Sequence, residues 1–148
     1  MNSIILLKGK SNQGKSGTLL ALIELIKSDP SFTILEDYAT SNGNDRFLIA
    51  KSQNCTIAAL TPGDPGEEPV IEKHLKICLD REVNLLFCTS RTRGKVLNLY
   101  WYFAENHKWN LFGSSPFSLL IGDKAPFESL NHLSATSLKA LIPILSAQ

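Results

Sequence analysis

A three-layer α/β/α sandwich on a mainly parallel sheet is the fold class the sequence predicts, and three features predict it. The short continuous apolar run Ile4 to Leu7 and the largely apolar segment Val83 to Cys88 have the pattern of strands buried on both faces. Segments with apolar residues at helical spacing alternate with these runs. Clusters of Gly, Pro, Asn, Asp and Ser separate the two kinds of segment. Alternation of this kind points to strands joined by crossover helices. The 148 residues suffice for one compact core, so 1–148 is expected to form a single domain.

Taken in order, Ile4 to Leu7 is the first strand and runs into Gly9, Lys10, Ser11, Asn12, Gln13, Gly14, Lys15 and Ser16. Ser16 to Lys27 follows as a helix, with Leu19, Leu22, Ile23 and Ile26 on one face and Asp29 and Pro30 closing it. Thr33 to Leu35 is a second strand ending in Glu36 and Asp37, and residues 41–45 are loop by composition. Phe47 to Ala50 and Thr56 to Leu60 read as two strands around a short turn. Thr61, Pro62, Gly63, Asp64, Pro65 and Gly66 form an irregular loop at the end of the second of these, where function often sits.

Glu67 to Arg81 is predicted helical, with Ile71, Leu75 and Leu79 along one face and Cys78 beside them. Glu67 and Glu68 suit its positive end. The strand Val83 to Cys88 leads through a loop containing Arg91 and Arg93 to a helix over about Lys95 to His107. That helix should bury Val96, Tyr100, Phe103 and Ala104 on one side. Beyond it the expected elements are a last strand over Phe117 to Ile121 and a last helix over Ser134 to Ser146, interrupted or kinked at Pro143.

Gly9, Gly14, Lys15 and Ser16 satisfy G-x-x-x-x-G-K-[ST] between an expected strand and an expected helix. Glycines at those places let a loop curl so that successive N–H groups face phosphate oxygens, and the helix start adds partial positive charge. Over roughly residues 3–28 this resembles the Walker A motif of the P-loop NTPase superfamily. The resemblance implies that Gly9, Lys10, Ser11, Asn12, Gln13, Gly14, Lys15, Ser16 and Gly17 cradle a nucleoside triphosphate. It further implies that Lys15 reaches the β- and γ-phosphates and that Ser16 ligates magnesium, with ATP and Mg2+ as the cofactors.

The metal-side acid departs from that family's pattern, because Leu60 stands where many relatives carry Asp. Asp64 is ranked first as its replacement, as a magnesium ligand and catalytic group, with Asp37 second and Glu36 a further candidate; each also suits a turn or a helix cap. Arg91 and Arg93 lie where an open parallel sheet binds its ligand, and are expected to compensate phosphate charge. Lys10, directly after the first glycine, is similar to the dimeric ATPases of plasmid partitioning and division-site selection. Ser11, Asn12 and Gln13 depart from that family's glycine-rich loop, so a solvent-facing lysine is preferred, with a homodimer kept open.

The remaining features narrow the function class. Net charge is +1, with Lys and Arg spread along the chain, so no nucleic-acid footprint is indicated. No apolar stretch approaches the length of a membrane span, and no signal peptide opens the chain, so a cytoplasmic location away from membranes is expected. Cys55, Cys78 and Cys88 lack CxxC spacing and read as buried thiols. His74, His107 and His132 are scattered, which favours surface or helix-end places. The leading expectation is a small magnesium-dependent ATP hydrolase or kinase. The alternative is a nucleotide-dependent switch that orders loops for a protein partner. The absence of a guanine-recognition motif after Cys88 favours ATP over GTP.

Overall fold

The computed structural model describes residues 2–9, 15–40, 44–115 and 127–147. Among them the chain forms six strands and four helices: β1 (Ser3–Lys8), α1 (Lys15–Lys27), β2 (Thr33–Ala39), β3 (Arg46–Lys51), β4 (Thr56–Leu60), α2 (Glu68–Asp80), β5 (Leu85–Ser90), α3 (Lys95–His107), β6 (Asn110–Ser114) and α4 (Phe127–Ser146). The sheet runs β2-β3-β4-β5-β1-β6.

The sheet is mixed, with three of its five pairings parallel and two antiparallel. β4, β5, β1 and β6 pair in parallel, whereas β3 pairs antiparallel with both of its neighbours, β2 and β4. The reason is connection length. Residues 40–45 and 52–55 are too few for a crossover, and short links join only antiparallel neighbours. Within the parallel half, α2 carries the chain from β4 to β5 and α3 from β5 to β6, and there β4 and β5 are buried on both faces. All six residues of β5 are buried.

Alternation along the strands divides the core in two. Ile4, Leu6, Phe47, Ala58, Leu60, Leu86 and Cys88 face α2 and α3, meeting Ile71, Leu75, Tyr100 and Phe103. Ile5, Leu7, Leu48, Ile57, Ala59 and Phe87 face α1 and α4, meeting Leu19, Leu22, Ile23, Ile26, Ala135, Leu138 and Ile142. Helices therefore cover both faces, and each fully buried Leu or Ile adds about 1.5–3 kcal/mol of transfer free energy. Gly17 lets α1 approach α4 closely, since a Cβ there would lie 2.4 Å from Asn131 Nδ2.

Further differences from the sequence reading follow. The strand after α3 is β6, which the sequence reading does not predict, and the expected strand Phe117 to Ile121 lies outside the described residues. α4 begins at Phe127, earlier than expected, and continues through Pro143. His74 is buried rather than at the surface. Its Nδ1 donates to the Val70 carbonyl at 2.7 Å and its Nε2 accepts from the Tyr38 hydroxyl at 2.9 Å, which is the arrangement of a neutral imidazole.

Candidate functional site

Parallel register brings several strand ends to one edge of the sheet. Lys8 of β1 is level with Ser90 of β5, and Leu60 of β4 with Cys88. The residues that follow, Gly9, Thr61 and Arg91, consequently emerge side by side. The Gly9 N–H donates to the Ser90 carbonyl at 3.3 Å, and Thr89 Oγ1 donates to the Thr61 carbonyl at 2.9 Å. β3 runs the other way, so its start, with Asp45 and Arg46 before it and in it, meets the same edge.

Lys15, the first residue of α1, occupies the seam between β1 and β5. Only 7% of it is exposed, and its ammonium donates to the Gly9 carbonyl at 2.6 Å and the Ser90 carbonyl at 3.0 Å. Burial pushes its pKa down, the Asp64 charge opposes that, and Arg91 adds to it. No acid stands in the first turn of α1. Lys15 is thus a buried cation held by carbonyl oxygens, beside an Asp64 that is shared with Arg91: Arg91 Nε donates to Asp64 Oδ1 at 3.2 Å.

A groove of about 1110 Å³ opens beside this pair. Gly63, Pro65 and Gly66 line one side, and Arg91, Arg93 and Tyr102 another. Gly63 has to be glycine: a Cβ would sit 2.1 Å from Thr89 Oγ1 and 2.6 Å from the Thr89 carbonyl oxygen. Tyr100 and Phe103 are core residues, while Trp101 and Tyr102 are 53% and 67% exposed.

The expected site residues separate accordingly. Lys15, Asp64, Arg91 and Arg93 share one edge of the sheet, with Arg93 on the groove wall. Ser16 is exposed on α1 and Gly17 faces α4. Lys10, Ser11, Asn12, Gln13 and Gly14 lie outside the described residues. Asp37 is remote: it stands inside β2, hydrogen-bonded by Arg46 and, at 2.8 Å, by Lys27. Partial burial pulls its pKa up, but those two cations hold it below the ordinary carboxylate range. Glu36 pairs with Arg81 at 2.6 Å. Among the described residues no three His, Cys, Asp or Glu side chains converge as a metal site, and Asp64, the expected magnesium ligand, is turned to Arg91.

Sequence reasoning missed Asp45 and Glu67. Glu67 reads as a helix-dipole acid, yet its Oε1 accepts the N–H groups of Gly63 at 3.2 Å and Asp64 at 2.8 Å. Asp45 reads as loop, yet it accepts from Thr61 Oγ1 at 3.0 Å. The Ser90 carbonyl that holds Lys15 is a backbone group and has no side-chain signature at all. The three cysteines are buried and unpaired, and burial pushes the Cys78 thiol up to about 12. No described helix is long and apolar enough to cross a membrane.

No family model and no curated protein matches the chain. Two solved structures are similar. EndoMS in apo form is 8% identical over 74% of this chain, at a TM-score of 0.40, and this chain spans 48% of its length. The 5'-methylthioadenosine/S-adenosyl homocysteine nucleosidase of Campylobacter jejuni is 13% identical over 98% of each chain, at a TM-score of 0.42. Both scores fall short of the level that marks a shared fold, so neither lends its activity to this chain. Neither is a P-loop NTPase, and the expected membership in that superfamily is overturned. With it go the ATP-binding hydrolase or kinase and the nucleotide switch. The local physical counterpart is at the strand end, where Leu60 is fully buried among apolar groups and supplies no carboxylate for a metal.

Proposed function

We propose that the chain binds a phosphate-bearing small molecule where β1, β4 and β5 end, with its anionic group against Lys15 and Arg91 and its body in the adjoining groove. The observation that carries this reading is the environment of Lys15. A buried ammonium with two carbonyl partners has one donor left, and desolvation without a dedicated carboxylate is costly. An incoming phosphate would offset that cost and form charge-assisted hydrogen bonds with both cations. The groove volume is at the upper end of small-molecule sites.

Calorimetric titration tests the reading. Pyrophosphate, AMP and ATP, the last with and without Mg2+, are compared with adenosine as the unphosphorylated control. Binding of at least one phosphate-bearing probe, absent for adenosine and lost in Lys15→Met, is expected. Silence with all of them, or unchanged affinity in Lys15→Met, would overturn it. The ATP and Mg2+ arm also measures whether the metal contributes, since its loss should then weaken affinity.

A further inference from the structure

Where β1 and β6 end, on the side of the sheet that α1 and α4 cover, lies a second cavity of about 140 Å³. The groove described above lies on the other side, between α2 and α3. The floor of the second cavity is Leu7 of β1, Thr18 of α1, and Ser134 and Leu138 of α4, none of them more than 7% exposed. Ser115, just past β6, and Ser137 of α4 are exposed and stand at its mouth. Ser134 and Ser137 share one face of α4, being three residues apart. Positions 18 and 134 face the core that Leu19, Leu22, Ala135 and Leu138 help to build. Apolar side chains would pack there freely, whereas hydroxyls need partners.

Thr18 is fully buried, and its Oγ1 has no hydrogen-bond partner in the protein. Buried hydroxyls are nearly always paired, so an unpaired one on the floor of a cavity marks a place where an occupant bonds. The chemistry of that occupant follows from the lining. Ser115 Oγ donates to the Lys8 carbonyl at 3.3 Å and Ser137 Oγ to the Leu133 carbonyl at 3.1 Å. With their protons engaged, these two hydroxyls offer lone pairs, while Thr18 offers both a proton and lone pairs. The occupant must therefore donate at the mouth and donate or accept at the floor, which hydroxyl groups do. Among the described residues no ionisable side chain lines the cavity, so a charged occupant would lose its hydration without a counter-charge. Leu7 and Leu138 supply carbon surface beside the hydroxyls. A cavity of about 150 Å³ accepts a benzene-sized molecule of roughly six heavy atoms.

We propose that this cavity is a binding site for a small neutral polyol, held by the Thr18 hydroxyl at the floor and by the Ser115 and Ser137 hydroxyls at the mouth. The site is independent of the phosphate reading, since Lys15 does not line it and has its ammonium on the Gly9 and Ser90 carbonyls. The 15N-labelled full chain is titrated with glycerol and with erythritol, and with propan-1-ol as the control that keeps the carbon chain and one hydroxyl. The amide signals of Thr18, Ser115 and Ser137 are expected to move and saturate together with a polyol, and propan-1-ol should bind about 10-fold more weakly or not at all. Thr18→Val should weaken glycerol binding by about 10-fold while its urea midpoint does not fall, because the lost hydroxyl has no partner in the protein. Ser137→Ala, at the exposed mouth, should weaken glycerol binding with the fold intact. Signals that do not move, or that drift without saturating, would mean that the cavity takes up solvent only and would overturn the proposal. Equal affinity for propan-1-ol, unchanged glycerol affinity in Thr18→Val or Ser137→Ala, or a lowered urea midpoint in Thr18→Val would overturn it as well.

Discussion

At the β2 edge, Asp37 lies between Lys27 and Arg46, and Glu36 faces Arg81; where β1 and β5 end, Lys15 is buried against two carbonyl oxygens. Both regions carry the acids and bases that the sequence singles out, and the fold treats them differently. Charges matched by opposite charges inside the chain need nothing further, and such partly exposed pairs add little stability. A buried cation without a carboxylate of its own is a cost that a ligand can relieve. Partnership, more than residue type, is what separates a structural charge from a binding one.

The largest expected effect tests that separation directly. Lys15→Met should reduce affinity for a phosphate-bearing probe roughly 100-fold, the value of two or three kcal/mol of charge-assisted bonding. Its folding stability should change by less than about 1 kcal/mol, because removal of a desolvated charge offsets two lost hydrogen bonds. Calorimetry and urea melts on the same sample read both quantities, and a large loss of stability would make Lys15 a structural residue.

Next in size is Gly63→Ala, which places a methyl group against the Thr89 backbone and should cost roughly 1–3 kcal/mol in urea melts, as other overpacked sites do. The groove lip must also move, so probe affinity should fall with it. Asp37→Ala sharpens the contrast from the other side. It leaves Lys27 and Arg46 without their counter-charge and should lower stability by about 1 kcal/mol while leaving probe affinity unchanged. Weakened binding in Asp37→Ala would show that the two regions are coupled.

The smallest effect concerns pH. Burial pushes the pKa of His74 down, the bond to the Val70 carbonyl opposes, and Lys73 adds to the lowering. The unfolded chain therefore takes up a proton first, so stability is full above the ordinary histidine value and declines as pH falls below it. Urea melts across that range should show the decline in the natural chain and a flatter profile in His74→Asn.

Much of the fold was legible in the sequence. β4 and α3 fall where the apolar run Thr56 to Leu60 and the periodic segment Lys95 to His107 place them, since burial on both faces or along one stripe leaves a direct mark on residue order. β6 was not legible. Asn110, Leu111, Phe112, Gly113 and Ser114 form an edge strand that is largely open to solvent, so neither a continuous apolar run nor alternation marks it. α4 was legible only beyond its first turns, and Pro143 did not interrupt it.

By itself the sequence determined the α/β class, the short links that set β3 antiparallel to β2 and β4, and the clustering of Lys15, Asp64, Arg91 and Arg93 around strand ends, because each depends on patterns within a few neighbouring residues. Only the tertiary structure decided which charges have partners. Asp37 meets Lys27 and Arg46, and Lys15 finds the Ser90 carbonyl, 75 residues away, through register between strands. Those pairings depend on which strand lies beside which, and a linear spacing motif carries no record of that.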